Sequence, residues 1–236
     1  LLASSAETIN LAVANSTCTA IKQVGERYAN RTGIAINYIC KSSGRLAKGL
    51  NGNTIQADVY ISANRKWMDY MIEHDLIDSR HVASPWGNEL VVAAPAPSGL
   101  EMKDWQALAG EDIATILIGD PGTAPFGRYA KEALEYTGLW DKVRIKIVTK
   151  KHITLLADTL AESDVSTIGI LFMSNITDQH KLLFPVDASW HSPIRYFMAP
   201  LGNAADRSEV VSLLEYVQGS ESREIFRASG FRVNPD

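Results

Sequence analysis

Short apolar runs suited to strands alternate with stripes of helical periodicity along almost the whole chain. Residues 9–14 form the first run, and behind it Ala20, Ile21, Val24, Tyr28 and Ala29 fall on one face of a helix that Gly33 closes. The same alternation predicts strands at 34–39 and 57–62 and helices at 43–50 and 66–74. In the second of these helices Trp67, Met68, Met71 and Ile72 keep helical spacing and read as core. The rhythm breaks at Pro85-Trp86-Gly87-Asn88, then resumes with predicted strands at 89–94, 113–118, 145–148 and 167–171. A late strand at 194–199 precedes two helices. Asp206 and Glu209 have the spacing of a capping box for the first, and the second opens at Ser220 and ends at Gly230. Such alternation builds mainly parallel sheets flanked by helices. The expected fold is α/β in two lobes, one made of residues 1–86 and the returning 197–236, the other of 87–196. Loops at the carboxyl ends of the strands would face a cleft between the lobes, with Trp86 and Trp190 near the crossings.

Those loops share one chemical feature. In Ile118-Gly119-Asp120-Pro121-Gly122-Thr123-Ala124-Pro125-Phe126-Gly127 a strand enters a turn crowded with Gly and Pro and emerges as a helix, leaving backbone N–H groups unpaired at the helix start. Ala14-Asn15-Ser16-Thr17 and Lys41-Ser42-Ser43-Gly44 repeat the arrangement with hydroxyl residues at the junction, and a helix starting near Ile153 is a fourth case. Each is a seat for an anion, and together they point to one shared ligand. Taken singly, Ser16 and Ser43 also read as plain N-caps, and residues 120–127 as a tight turn set by backbone geometry.

Composition narrows the class of partner. The 236 residues hold 46% hydrophobic content and a formal net charge of −4, which suits buried cores and argues against nucleic acid or an anionic membrane as partner. No apolar stretch approaches the ~20 residues that span a bilayer. Leu1-Leu2-Ala3-Ser4-Ser5-Ala6 reads either as the small-residue end of a secretory signal peptide or as a frayed terminus. Cys18 follows the first strand and Cys40 ends the second, so neighbouring parallel strands would bring them to one sheet edge. They are either a disulfide, worth ~3 kcal/mol and implying an oxidising compartment, or two buried free thiols. No Cys or His spacing suggests a metal cation.

Many short motifs then resemble, in order and spacing, the molybdate-binding proteins of bacterial ABC importers, a family of type II periplasmic solute-binding proteins. They are Ala14-Asn15-Ser16, Ser42-Ser43-Gly44-Arg45-Leu46-Ala47, Ala57-Asp58-Val59-Tyr60-Ile61-Ser62-Ala63, Lys66-Trp67-Met68-Asp69-Tyr70, Gly87-Asn88-Glu89-Leu90-Val91-Val92, and the run from Gly119-Asp120-Pro121 to Gly138-Leu139-Trp140. The resemblance implies a two-lobe binding protein with no enzymatic activity and no cofactor. It also implies a molybdate or tungstate ligand, a membrane permease as partner, a monomeric state and a periplasmic location. By position, Ser16 and Ser43 would supply hydroxyl and backbone donors, and Phe126 and Ile153 backbone N–H groups. Where the family commonly has a donating tyrosine, this chain has Phe172, which cannot donate. Phe126 would put a ring at the cleft mouth. Asn15 and Thr17 adjoin the first seat. Lys41, Arg45 and Arg128 flank the seats, as substitutes for the lost donor or as solvated charges. His152 precedes the fourth seat, either strengthening anion binding when charged or facing solvent without a role.

A donor-only site favours a fully deprotonated oxyanion, because a protonated one buries an O–H without an acceptor. Molybdate, tungstate and sulfate pass that filter. The alternative is a protein of the same fold for a different oxyanion or small anion, which Phe172 favours. A dinucleotide enzyme would need a G-x-G-x-x-G after a strand, which is absent, and the effector module of a transcription regulator would need an attached DNA-binding segment.

Overall fold

The structure is a computed structural model and describes residues 8–233. The leader-like Leu1-Leu2-Ala3-Ser4-Ser5-Ala6 lies outside the described residues. The chain runs through β1 (Thr8–Ala14), a 3-10 turn (Asn15–Thr17), α1 (Cys18–Thr32), β2 (Ala35–Lys41), α2 (Ser43–Asn51), β3 (Val59–Ser62), α3 (Arg65–Glu73) and β4 (Trp86–Gly87). It continues through β5 (Leu90–Pro95), β6 (Thr115–Gly119), α4 (Pro125–Tyr136), α5 (Trp140–Val143), β7 (Ile147–Lys150), α6 (Ile153–Ala161), β8 (Thr167–Phe172) and β9 (His180–Pro185). It closes with β10 (Phe197–Pro200), α7 (Ser208–Gln218), α8 (Ser220–Ala228) and β11 (Arg232–Val233). Residues up to Gly87 together with those from Arg195 onward form one compact unit, and Asn88–Ile194 form a second.

In unit one the main sheet has the order β10-β3-β1-β2, with β1, β2 and β3 parallel and β10 antiparallel to β3. The amphipathic stripes of α2 and α3 bury Leu46, Leu50, Met68 and Met71 with Tyr60 and Phe197, while Trp67 and Ile72 line the edge of that core. Burying each large apolar side chain stabilises by roughly 1.5–3 kcal/mol. Trp86 is sandwiched between Phe226 and Tyr196, with ring centroids 4.2 and 6.1 Å away, so β4 is bound to the C-terminal helix of its own unit. Gly33 ends α1 at φ 76°, a left-handed conformation that explains the glycine there.

Glu209 does not form the capping box expected with Asp206. Its carboxylate accepts from Arg207 Nε, and the N-cap of α7 is Arg207, with no side-chain cap. The same guanidinium bonds Asp58 Oδ1 at 2.6 Å, and Asp58 Oδ2 accepts the Asn10 backbone N–H at 2.7 Å. Asp58 is thus a structural link between the amino ends of β1 and β3 and the start of α7.

Unit two is a mixed sheet of order β7-β6-β8-β5-β9. Strands β6, β7 and β8 are parallel, whereas β5 runs antiparallel to β8 and β9. β9, an edge strand whose residues run from buried His180 to exposed Leu182, has no counterpart among the predicted strands.

Candidate functional site

Two adjacent parallel strands of unit one end in register, with Val13 opposite Cys40 and Ala14 opposite Lys41. Ser16 and Ser43 each follow a paired strand end by two residues, so both sit at the carboxyl edge of the sheet where α1 and α2 begin. Cys18 and Cys40 are joined by a disulfide, Cα to Cα 6.1 Å, which ties the start of α1 to the end of β2. Neither serine is an N-cap. Those positions belong to Thr17 and Ser42, whose side chains make no capping bond. Both serine hydroxyls are engaged from behind instead. Ser43 Oγ accepts the Ala63 backbone N–H at 3.0 Å, and Ser16 Oγ accepts the Tyr196 hydroxyl at 2.8 Å. The Tyr60 hydroxyl donates to the Ser43 carbonyl at 2.9 Å, and burial pushes that phenol well above the ordinary tyrosine range. Thr17 is fully buried, and its Oγ1 has no partner among the described residues. Asn15 is half-buried, and Lys41 and Arg45 are exposed.

Unit two repeats the geometry. Gly119 at the end of β6 lies opposite Lys150 at the end of β7, and the two strands feed α4 and α6. In the turn before α4, Asp120 takes up most of the free donors. Its Oδ1 accepts the Gly122 N–H at 2.9 Å, its Oδ2 the Thr123 hydroxyl at 2.9 Å, and its carbonyl the Ala124 N–H at 2.8 Å. Pro125 has no N–H. Phe126 therefore carries the first backbone donor of α4 left for a ligand. A Cβ on Gly127 would overlap the Gly119 carbonyl oxygen, so only glycine permits this close approach of helix to strand.

The Phe126 ring is buried, not placed at a mouth. It packs over Gly119, where a Cβ would meet Phe126 Cε2 at 2.6 Å, and lies edge-on to Phe172 with centroids 6.1 Å apart. Phe172 ends β8, fully buried beside Tyr129 and without a donor. His152 is exposed but not idle. It is the N-cap of α6, its Nδ1 accepting the Leu155 N–H at 3.3 Å. The cap leaves the N–H groups of Ile153 and Thr154 as the first donors of α6. Arg128 pairs with Glu132 at 3.6 Å and lies over the Tyr129 ring.

Each unit thus presents a pair of helix N-termini at one sheet edge, where backbone N–H groups and helix dipoles offer neutral donors to a negative charge. The supporting groups Tyr196, Tyr60 and the Ala63 N–H carry no local signal in the sequence. Tyr196 lies 180 positions from the serine it touches, beyond the range of any spacing pattern. Among the described residues no group of three or more His, Cys, Asp or Glu side chains is arranged to hold a metal ion, and no helix is long and apolar enough to cross a membrane.

Known proteins resemble this chain in sequence and in fold. The family model for bacterial extracellular solute-binding proteins matches residues 9–232. The molybdate-binding protein ModA of Haemophilus influenzae is 30% identical, over 97% of this chain and 91% of that protein. ModA of Escherichia coli is 28% identical, over 95% of this chain and 89% of that protein. The solved structure of the Azotobacter vinelandii periplasmic molybdate-binding protein superposes with a TM-score of 0.83 at 22% identity, covering 97% of this chain and all of that one, a likeness of fold.

Proposed function

We propose that this chain, which belongs to the family of bacterial extracellular solute-binding proteins, is the solute-binding component of an ABC importer and captures a tetrahedral oxyanion, molybdate or tungstate. It is a binding component, not an enzyme, as its relatives are. The observation that carries the reading is the duplicated edge: in each unit two in-register parallel strands deliver two helix N-termini side by side. In this reading the donors are Ser16 and Ser43 in unit one and the N–H groups of Phe126 and Ile153 in unit two. Hydrogen bonds to a charged group contribute roughly 1.5–3 kcal/mol each. Dipoles replace counter-charges, so the anion is held without a salt bridge that a permease would have to break.

The disulfide fits an oxidising compartment, and with it a periplasmic protein that acts as a monomer and hands its cargo to a membrane permease. Phe172 favours a second reading, a different oxyanion or small anion, because its buried ring supplies no hydroxyl where the resemblance leads one to expect a fifth donor. Thermal shift and calorimetric titration with molybdate, tungstate, sulfate, phosphate and chromate test both. A ligand at 100 times its Kd adds ~2.7 kcal/mol of stability. A response to molybdate and tungstate, lost in Ser16→Ala and Ser43→Ala, is the expected result. A response to another anion of the panel selects the second reading, and silence across the panel overturns both.

A further inference from the structure

We infer that the exposed cations at the seat-bearing edge of unit one, Lys41, Arg45 and Lys66, steer the oxyanion to its site and set the rate of its capture. The inference rests on the oxyanion reading above. The ligand of that reading is a dianion, while the chain carries a formal net charge of −4, so at long range the two repel. Helix dipoles do not overcome this repulsion at a distance, because their field fades within about one turn.

The charges are unevenly divided. Unit one, over its whole sequence, holds 14 Lys and Arg against 13 Asp and Glu, and unit two 9 against 14. Within unit one, cations collect where the parallel strands end. Lys41 closes β2, Arg45 lies in the first turn of α2, and Arg65 and Lys66 open α3 behind β3. All four are exposed. Residues 14–21, 41–47 and 62–68, which form the three strand-to-helix junctions, contain no Asp or Glu. Arg65 is paired with Asp69 at 2.6 Å, whereas Lys41, Arg45 and Lys66 have no carboxylate partner among the described residues. Lys66 is brought beside the Ser43 seat by Trp67. Its ammonium lies 5.4 Å from the centre of that ring, and the ring packs on Gly44, where a Cβ would meet Trp67 Cζ2 at 2.5 Å. Nearby acids stand at the opposite edge, Asp58 just before β3 and Asp75 and Asp78 beyond the end of α3. In unit two, Lys150 and Lys151 precede α6, but Asp120 stands beside them, its N–H bonded to the Lys150 carbonyl at 3.0 Å. Charges are screened over ~8 Å at physiological salt, so cations beside the seat act on an approaching anion while distant acids do not.

The probe is molybdate, or sulfate if only that binds, both doubly charged. Association is followed by stopped-flow tryptophan fluorescence and Kd by calorimetry, from about 20 mM to about 0.5 M salt. Local steering makes capture slower as salt rises, whereas repulsion by the whole chain makes it faster, so a wild-type rate that rises or stays flat overturns the inference. Two cations acting on a dianion from about 10 Å are worth about fivefold at the low salt and under about 1.5-fold at the high one. Lys41→Gln with Lys66→Gln should therefore bind about fivefold more slowly and more weakly at the low salt, with dissociation unchanged, and converge on the wild type at the high salt. The calorimetric Kd carries the same comparison if fluorescence is silent. A loss that persists at high salt means that these side chains touch the ligand, and it overturns steering. An equal loss in Arg27→Gln with Arg31→Gln, which removes the same charge from the last two turns of α1, overturns it too, because net charge alone would then explain the effect. A wild type that binds neither anion overturns the oxyanion reading itself, whereas one that binds without this salt dependence overturns only the inference.

Discussion

Removing the Cys18–Cys40 bond separates two ways in which a disulfide can serve a binding site. The cysteines are 22 positions apart, and closing a loop of that size in the unfolded chain corresponds to ~3.4 kcal/mol in the chain-entropy account. In the folded chain the bond ties the start of α1 to the end of β2, beside strands β1 and β2 already paired from Thr8 opposite Ala35 to Ala14 opposite Lys41. The spacing of Ser16 and Ser43 then follows from strand register, and the bond acts mainly on the unfolded state. The double variant Cys18→Ser with Cys40→Ser, and the reduced wild type beside it, should therefore lose about 3 kcal/mol from unit one and keep oxyanion affinity within about threefold. Two units can unfold separately, so hydrogen exchange of peptides from β1, α1 and β2 is the suitable reading, with peptides of β6 and β8 as the internal control. A loss under about 1 kcal/mol would mean that the unfolded chain keeps these segments together without the bond. A tenfold loss of affinity would sink the register argument and make the disulfide itself the element that spaces the two serines.

Three further outcomes follow from the geometry. Gly127→Ala drives a Cβ into a backbone oxygen that cannot give way, so it should cost about 1–3 kcal/mol and weaken oxyanion binding at least tenfold by displacing the Phe126 N–H. Gly122→Ala, whose Cβ would lie 3.4 Å from Asp120 Oδ1, should be near neutral, and equal effects of the two in calorimetry would refute the account. Asp58→Asn weakens the bond to Arg207 at the amino ends of the strands, away from the serines, so it should cost about 1–3 kcal/mol in urea unfolding and leave the oxyanion Kd unchanged. Burial pushes Tyr60 up and Tyr38 up to about 12, so the folded chain keeps phenolic protons that the unfolded chain releases near pH ~10. Their contribution is complete below that pH and lost above it. Urea midpoints should fall from pH 10 upward, less steeply in Tyr60→Phe, and a flat profile to pH 11.5 would contradict this.

What is legible in the sequence is what a dozen consecutive residues encode. A strand, a turn rich in Gly and Pro and a helical stripe specify a helix start locally, so the strand-to-helix junctions behind β1, β2, β6 and β7 can be read from the order of residues alone. The expectations that fail share the opposite character. Asp206 and Glu209 have the spacing of a capping box, yet Arg207, drawn toward Asp58 from 149 positions away, takes the Glu209 carboxylate. Strand β9 pairs antiparallel with β5 across 80 and more residues, and its edge residues alternate too weakly to declare it. Residue type alone leaves His152 beside the anion or in solvent and puts Phe126 at a mouth, whereas the cap bond to Leu155 and the bare backbone of Gly119 decide where each side chain goes.

The helix starts and the groups that hold the two serines beside them therefore lie at different ranges in the chain. The N–H donors belong to helix starts and come with the local pattern whatever surrounds them. The groups that hold the two serine hydroxyls are the Ala63 N–H, 20 positions on, and the Tyr196 hydroxyl, 180 positions on. A substitution in a turn should therefore weaken every oxyanion together, as Gly127→Ala is expected to do. A substitution at Tyr196 should instead act through Ser16 alone and leave the other three helix starts in place.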